Sequence, residues 1–561
     1  MKRSRKRTAA PEEHTVELTS SSSSTATETN DEDDGNDDGA GPSFAPSPPK
    51  RSRARALAVT PQIAAALDRT RTSDRSAVHI LHAAAEAYSP IPSNLAVNRQ
   101  SIRRHRRRVR EDVAKEIRET FAPGVPLVVH WDGKIIADST ETTAAERLPI
   151  LVSGDGVNKL LGVPRLPSGK GDDVATAVIS CLEDWGVAER VVGMSFDTTA
   201  SNTGVRGGAC TYIQQRLERN LLHLACRHHI FEIVADKSFG ACFAPSSGPD
   251  IQFFKRFKAA WEAIDQTVFE PIEHIPSNSD EIIMFCKEKL QVTQPRDDYR
   301  ELLNLTIIAL GGVPTGGIRV SKPGAYHRAR WMGKLIYALK IFLFRGQFRL
   351  TKAEEKNLTR FVLFIVTLYV PAWYEAPLAT RAPAQDLAFY RSLVSYKDKE
   401  IAREASKAFG RHLWYISEEL VSLALFDSRT TLEDKRLIVA AFDRDGAEDP
   451  PKRISLEPDM TVLMRKTLPD FVSSSSKCLL TALGPSDFLE VDPAEWPARQ
   501  DYQLARRRAE SLMVVNDFAE RGVALIQNYS AILTKDEEQR QFLLQVVEDH
   551  RRRFPDVRKS T

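Results

Sequence analysis

The spacing of apolar residues changes along the chain, and each change predicts a different kind of element. From residue 56 to about 120 the spacing is helical. Ile63–Leu67 and Ala77–Ala87 set helix formers three and four residues apart, and Ser101 opens a further helix. From about 121 short apolar runs replace it: Leu127–His130, Ile135–Ala137, Leu148–Val152, Lys159–Val163 and Val191–Phe196 read as strands. Asp172 to Trp185 reads as a helix with an acidic first turn, and Cys210, Ile213, Leu217, Leu221 and Leu224 as a second. Strands joined by short turns pair antiparallel, whereas Val191–Phe196, returning after a helix, is expected to lie parallel to one of them. From 246 to 500 the helical spacing returns, in Phe253–Phe257, Trp261–Ile264, Leu335–Phe344, Phe361–Tyr369, Leu413–Phe426 and Leu437–Phe442. Ala509–Tyr529 and Glu538–Phe554 predict closing helices. The expected fold class is therefore mixed α/β, with strands clustered in 121–200 and a large all-α stretch after them.

Composition adds the ends and the compartment. Residues 1–55 hold a serine run, an acidic block and a Pro/Ser stretch, too polar to offset the entropy of ordering, and are expected to be a disordered tail. Lys2–Arg7 and Lys50–Arg53 read as nuclear import signals or as a solvated tail with no address. Six scattered cysteines without a CxxC pair argue for reduced thiols inside the cell. The run from Phe361 to Ala372 is too short to span a bilayer, so no membrane partner is expected. A net charge of +3 hides segregation, because Arg103, Arg104, Arg106, Arg107, Arg108 and Arg110 crowd one helix. They cover most of its faces, so the helix is expected to stay unburied and to meet a polyanion such as DNA through backbone phosphates; a solvated helix is the alternative.

Candidate chemistry begins with two carboxylates. Asp132 ends the first strand and Asp197 ends the strand Val191–Phe196. Hard oxygen ligands at strand ends suit Mg²⁺ or Mn²⁺ and metal-assisted phosphodiester chemistry, although an Asp after a strand also serves as a turn residue or helix cap. Pro167–Gly171 lacks the glycine and hydroxyl spacing of a phosphate loop. His223, Cys226, His229 and Cys242 have no second ligand pair at zinc-finger spacing.

Asp132, Asp197 with Ala200-Ser201-Asn202 behind it, Cys226-Arg227-His228-His229, Arg330-Trp331 and Ala519-Glu520-Arg521 follow one another in an order that resembles the hAT-type DNA transposases. The resemblance covers roughly 121–545. It implies an RNase H-like catalytic domain in two parts, 121–245 and 501–561, interrupted by an all-helical insertion at 246–500, with 56–120 as a basic DNA-binding region. It implies a catalytic and metal-binding triad of Asp132, Asp197 and Glu520 holding Mg²⁺ or Mn²⁺. Asn202, Cys226, His229, Arg330, Trp331 and Arg521 would support the site or contact DNA. Glu418 and Glu419 are the rival third carboxylates, since a carboxylate amid apolar residues needs a partner or a metal. The implied function is cleavage and strand transfer at DNA ends in the nucleus, with transposon ends or target DNA as partner and homo-oligomerisation left open. A domesticated, catalytically inactive DNA-binding or scaffold protein that keeps the fold is the alternative. No cysteine–histidine pattern fits an N-terminal BED-type finger.

Overall fold

The structure, a computed structural model, describes residues 59–88, 98–136, 145–243, 250–274, 276–324, 331–448, 450–454, 461–516, 534 and 536–555. The tail at 1–55, with its basic runs, lies outside the described residues.

Three helices come first: α1 (Pro61–Arg69), α2 (Asp74–Tyr88) and α3 (Arg99–Thr120). Pro61 at the first position and Thr60 accepting the Ile63 amide start α1, and Asn98 with Ser101 forms a capping box for α3. They close on a small apolar core of Val59, Ala64, Leu67, Ala77, Leu81, Ile102 and Val109. The expectation that every arginine of α3 stays in water is corrected here. Arg106 and Arg110, one turn apart, share the face of Ile102 and Val109, are 1% and 5% exposed, and close on Asp68, which is 0% exposed. Arg106 Nε donates to Asp68 Oδ1 at 3.0 Å, Arg110 Nε to Oδ2 at 2.7 Å, and Arg106 Nη1 to Asp74 Oδ1 at 2.8 Å. Arg103, Arg104, Arg107 and Arg108 remain exposed.

The sheet follows: β1 (Leu127–Trp131), β2 (Lys134–Ile136), β3 (Ala145–Arg147), β4 (Ile150–Gly154), β5 (Val157–Gly162), then α4 (Gly171–Asp184), β6 (Val191–Phe196), α5 (Ala200–Thr203), α6 (Ala209–Leu217), β7 (Leu222–Ala225) and α7 (Arg227–Cys242). Five strands form one sheet in the order β5-β4-β1-β6-β7, and β2 and β3 form a separate hairpin. β1–β4 and β4–β5 are antiparallel, β1–β6 and β6–β7 parallel, as the short turns and the intervening helices require. Every residue of β1 is buried, as befits a central strand covered on both faces. β7 falls where the sequence predicted the end of a helix: α6 stops at Leu217, with Glu218 in the left-handed region at φ 52°, and the chain re-enters the sheet.

A helical block comes next: α8 (Gln252–Ala260), α9 (Ser279–Gln291), α10 (Asp297–Ala309), α11 (Trp331–Leu343), α12 (Lys352–Phe364), α13 (Val370–Glu375), α14 (Ala382–Val394), α15 (Lys399–Phe409), α16 (Leu432–Ala441), α17 (Lys477–Leu483) and α18 (Gln500–Ser511). In the described residues of this block β-pairing is confined to isolated bridges, such as Leu413–Ile454. Leu413–Leu420 is a run of buried turns and Val421–Phe426 a 3₁₀ helix, so the long helix predicted over Leu413–Phe426 does not form. Sheet and block share one apolar core, from Leu127 to Val514. No described helix is long and apolar enough to cross a membrane.

The last described helix, α19 (Glu537–Arg553), covers the outer edge of β5. Gln541 accepts from the Val163 amide at 2.9 Å, Gln545 donates to the Leu160 carbonyl at 3.0 Å, and Glu548 takes Lys159 Nζ at 2.7 Å. Residues four or three apart on one helix face thus occupy backbone groups that an open sheet edge would present to another chain.

Candidate functional site

The parallel pairing of β1 and β6 runs Val128–Gly193, Val129–Met194, His130–Ser195. Continued by two residues past the paired strands, the same register sets Trp131 opposite Phe196, whose rings stack at 5.8 Å, and Asp132 opposite Asp197. Neighbouring strands lie about 4.8 Å apart, so the two carboxylates project from adjacent strand ends. The chain leaves β1 towards β4 and β5 on one side and returns to β6 on the other. Asp132 and Asp197 therefore stand at the carboxyl ends of strands where the direction of winding reverses, the position where α/β sheets open a crevice.

Asp197 is held by the turn behind it. Its Oδ1 accepts from the Thr199 amide at 3.0 Å, Thr199 Oγ1 at 2.5 Å and Asn202 Nδ2 at 2.7 Å. Asn202 is buried and accepts Trp131 Nε1 at 2.9 Å through its own oxygen, so one amide ties the end of β6 to the end of β1. The turn is packed so closely that a Cβ on Gly208 would stand 2.5 Å from the Asn202 carbonyl. Among the described residues all three donors share Oδ1, and Oδ2 accepts no hydrogen bond.

A late segment crosses the same strand ends. Asn516 Nδ2 donates to the Trp131 carbonyl at 2.9 Å, the Asn516 amide donates to Cys226 Sγ at 3.2 Å, and the Arg227 amide to the Val514 carbonyl at 2.9 Å. Asn516 Oδ1 faces His130 Nδ1 at 3.3 Å, and Ser153 Oγ lies 2.6 Å from His130 Nε2. An acceptor at Nδ1 and a hydroxyl at Nε2 suit the neutral ring protonated on Nδ1. Burial pushes this imidazole down to about 4, partly opposed by the Asn516 bond. The sign follows: between about pH 6.5 and 4 the unfolded chain binds the proton and the folded one refuses it. The contribution is complete above about 6.5 and is lost as pH falls towards 4, roughly 3 kcal/mol in all. Urea midpoints taken across that range should fall with pH and fall less in His130→Gln; an equal fall in both would place the effect elsewhere.

Cys226 is buried at the start of α7, and its Sγ accepts from the Asn516 amide at 3.2 Å. His229, half-buried one turn on, faces Glu232 at 3.5 Å. Burial pushes its imidazole down, but Glu232, Asp197 and Asp132 outweigh that and leave it raised. Its ring thus sits in the field of both carboxylates. His228 stacks on Trp373 at 3.8 Å, and half-buried Trp331 meets the same indole at 4.1 Å, which joins α7 to the helical block through rings. Arg330, Glu520 and Arg521 lie outside the described residues.

The rival glutamates lead away from this crevice. Glu419 is buried, accepts from the His223 amide at 3.0 Å and from Lys452 Nζ at 3.1 Å, and lines a cavity of about 240 Å³ with Val192, Asn220 and Leu222 at the starting ends of β6 and β7. Burial raises its carboxyl, yet the His223 and Lys452 contacts hold it below the ordinary value. Glu418 accepts from Ser473 Oγ. Among the described residues no three of His, Cys, Asp and Glu gather as a metal cage.

Four residues here carried no prediction from sequence: His130, His412, Arg453 and Asn516. A histidine inside an apolar strand is a readable flag; the others depend on partners far away in the chain. Burial, then Arg453, His229 and Arg411, pushes the His412 imidazole down to about 4. Comparison of the chain with protein-family models and with curated proteins finds no match.

Proposed function

We propose that this protein is a DNA transposase, or a nuclease derived from one, of the hAT type, acting on DNA ends in the nucleus. Its RNase H-like domain would be interrupted by the helical block. The observation that carries the reading is the parallel register setting Asp132 beside Asp197 at the winding reversal of the sheet. The donor chemistry fits a hard divalent cation: two carboxylates on adjacent strand ends, one with its Oδ2 accepting no hydrogen bond among the described residues. Asp132 and Asp197 would hold Mg²⁺ or Mn²⁺ with Glu520. When bound, the metal neutralises phosphodiester charge and makes water or a 3′-hydroxyl a competent nucleophile. Glu520 follows Asn516 by four positions in the sequence, and Asn516 is fastened to the Trp131 carbonyl.

In this reading Asn202 fixes which Asp197 oxygen is occupied, and the His130–Asn516–Trp131 bonds anchor the chain that leads to Glu520. The exposed arginines of α3, Arg103, Arg104, Arg107 and Arg108, supply sequence-independent phosphate contacts. The test is cleavage or end joining of labelled linear DNA with Mn²⁺, against EDTA and against Asp132→Ala. Wild-type product that both controls lose supports the enzyme. Binding without product in any lane supports the catalytically silent scaffold instead.

A further inference from the structure

The β7 side of the two carboxylates carries positive charge that the proposed triad does not use. Tyr415 Oη donates to the carbonyl of Ala225, the last residue of β7, at 2.7 Å, which pins the turn 411–415 to the same end of the sheet as Asp197. Arg453 Nη1 donates to the Arg411 carbonyl at 3.0 Å and the Ile454 amide to the Leu413 carbonyl at 3.1 Å, so residues 453–454 are laid along that turn. The Arg453 guanidinium lies 5.5 Å from the Trp414 ring, which in turn packs edge-on against Phe196, the residue before Asp197, at 5.8 Å. His412 feels the charges of Arg453, Arg411 and His229, and His229 feels Asp197 and Asp132.

Among the described residues neither Arg411 nor Arg453 has an ion-pair partner, and both are exposed. His412 Nδ1, Trp414 Nε1 and Thr198 Oγ1 are buried polar atoms with no hydrogen-bond partner among the described residues, on the turn and beside Asp197. Buried polar atoms are ordinarily satisfied, and unpaired guanidinium groups beside a carboxylate crevice favour an acidic ligand with several acceptor oxygens.

We propose that Arg453, His412 and the 411–415 turn bind a backbone phosphate of the nucleic-acid strand that enters the crevice, next to the phosphodiester facing Asp132 and Asp197. The proposal rests on the functional reading above and places the strand on the β7 side of the two carboxylates. Metals held by the carboxylates would neutralise only the reacting phosphate. Its neighbour along the strand needs a cation of its own, and a guanidinium braced on a backbone carbonyl and an indole is pre-ordered to supply one.

The test is fluorescence anisotropy with a short labelled single-stranded oligonucleotide in EDTA, across a range of salt. Arg453→Gln should weaken binding about tenfold and reduce the salt slope by about one. The pair Arg453→Gln with His412→Ala should weaken it further. A methylphosphonate oligonucleotide should bind wild type and Arg453→Gln equally. Arg453 is exposed, and matching thermal midpoints would exclude a folding defect. Unchanged affinity and slope in the double variant, or an Arg453→Gln loss that persists on the neutral backbone, would overturn the proposal. Wild type that binds in this way yet never cleaves with Mn²⁺ would remove the catalytic reading and leave the phosphate site standing.

Discussion

On the proposed reading, Asp197→Asn is expected to lower metal-dependent DNA cleavage by about a thousandfold while leaving the fold intact. The substitution keeps size and shape, and the amide oxygen can still accept the Thr199 and Asn202 donors that now converge on Oδ1. What disappears is one negative charge and one anionic oxygen. A metal contributes several kcal/mol of transition-state charge stabilisation, and about 4 kcal/mol corresponds to that factor in rate. Single-turnover cleavage at saturating Mn²⁺ is the readout, beside a thermal melt. A rate within a few-fold of wild type would remove Asp197 from the chemistry. Asn202→Ala is informative as its companion. It cuts the tie between Asp197 and Trp131 without touching charge, so its loss should be smaller and should appear with a lowered midpoint.

How far this site could be read from the sequence depends on the range of the interactions that build it. Val191–Phe196 is a continuous apolar run closed by Asp197-Thr198-Thr199, a strand followed by turn formers, and it folds over those six residues. β7 was hidden because Ile213, Leu217, Leu221 and Leu224 keep helical spacing across the break. Only Glu218-Arg219-Asn220, with Glu218 in the left-handed region, marks where the helix ends. Period and propensity are local signals, and the pull of the sheet edge beside β6 is not. The same limit explains Leu413–Phe426. Its residues are apolar almost all round, as a buried helix would be, yet Tyr415, Glu419 and Ser422 are each taken by backbone or side chains far along the chain. The neighbourhood of Asp132 and Asp197 was legible as two strand ends, but their adjacency is a matter of strand order, which no local pattern encodes.

The arginine helix shows the same limit in charge. A run of cations reads as a polyanion surface when its counter-charges are out of sight, and Asp68 lies 38 residues before Arg106. The structure divides the run into two buried arginines that hold the three-helix unit together and four exposed ones that remain available. In the proposed reading, phosphate contacts from this helix would fall to Arg103, Arg104, Arg107 and Arg108, of which Arg107 also meets Asp536 at 3.1 Å.

Asp68→Ala should destabilise the protein by about 3–5 kcal/mol, the cost of breaking a buried ion pair by removing one partner. Arg110 would lose both of its carboxylate bonds, and Arg106 would keep only Asp74 and the Thr72 carbonyl. Two guanidinium groups would then share an apolar pocket with one half-buried acid. Urea unfolding monitored by far-ultraviolet circular dichroism gives the number. The triple change Asp68→Leu, Arg106→Met, Arg110→Leu should recover most of the loss, because apolar groups of similar volume need no counter-charge. It should also leave the salt slope of the proposed DNA binding unchanged, since the two arginines it removes are buried. A slope that fell by about two would return both residues to the nucleic-acid surface and would mean that the helix turns over when DNA binds.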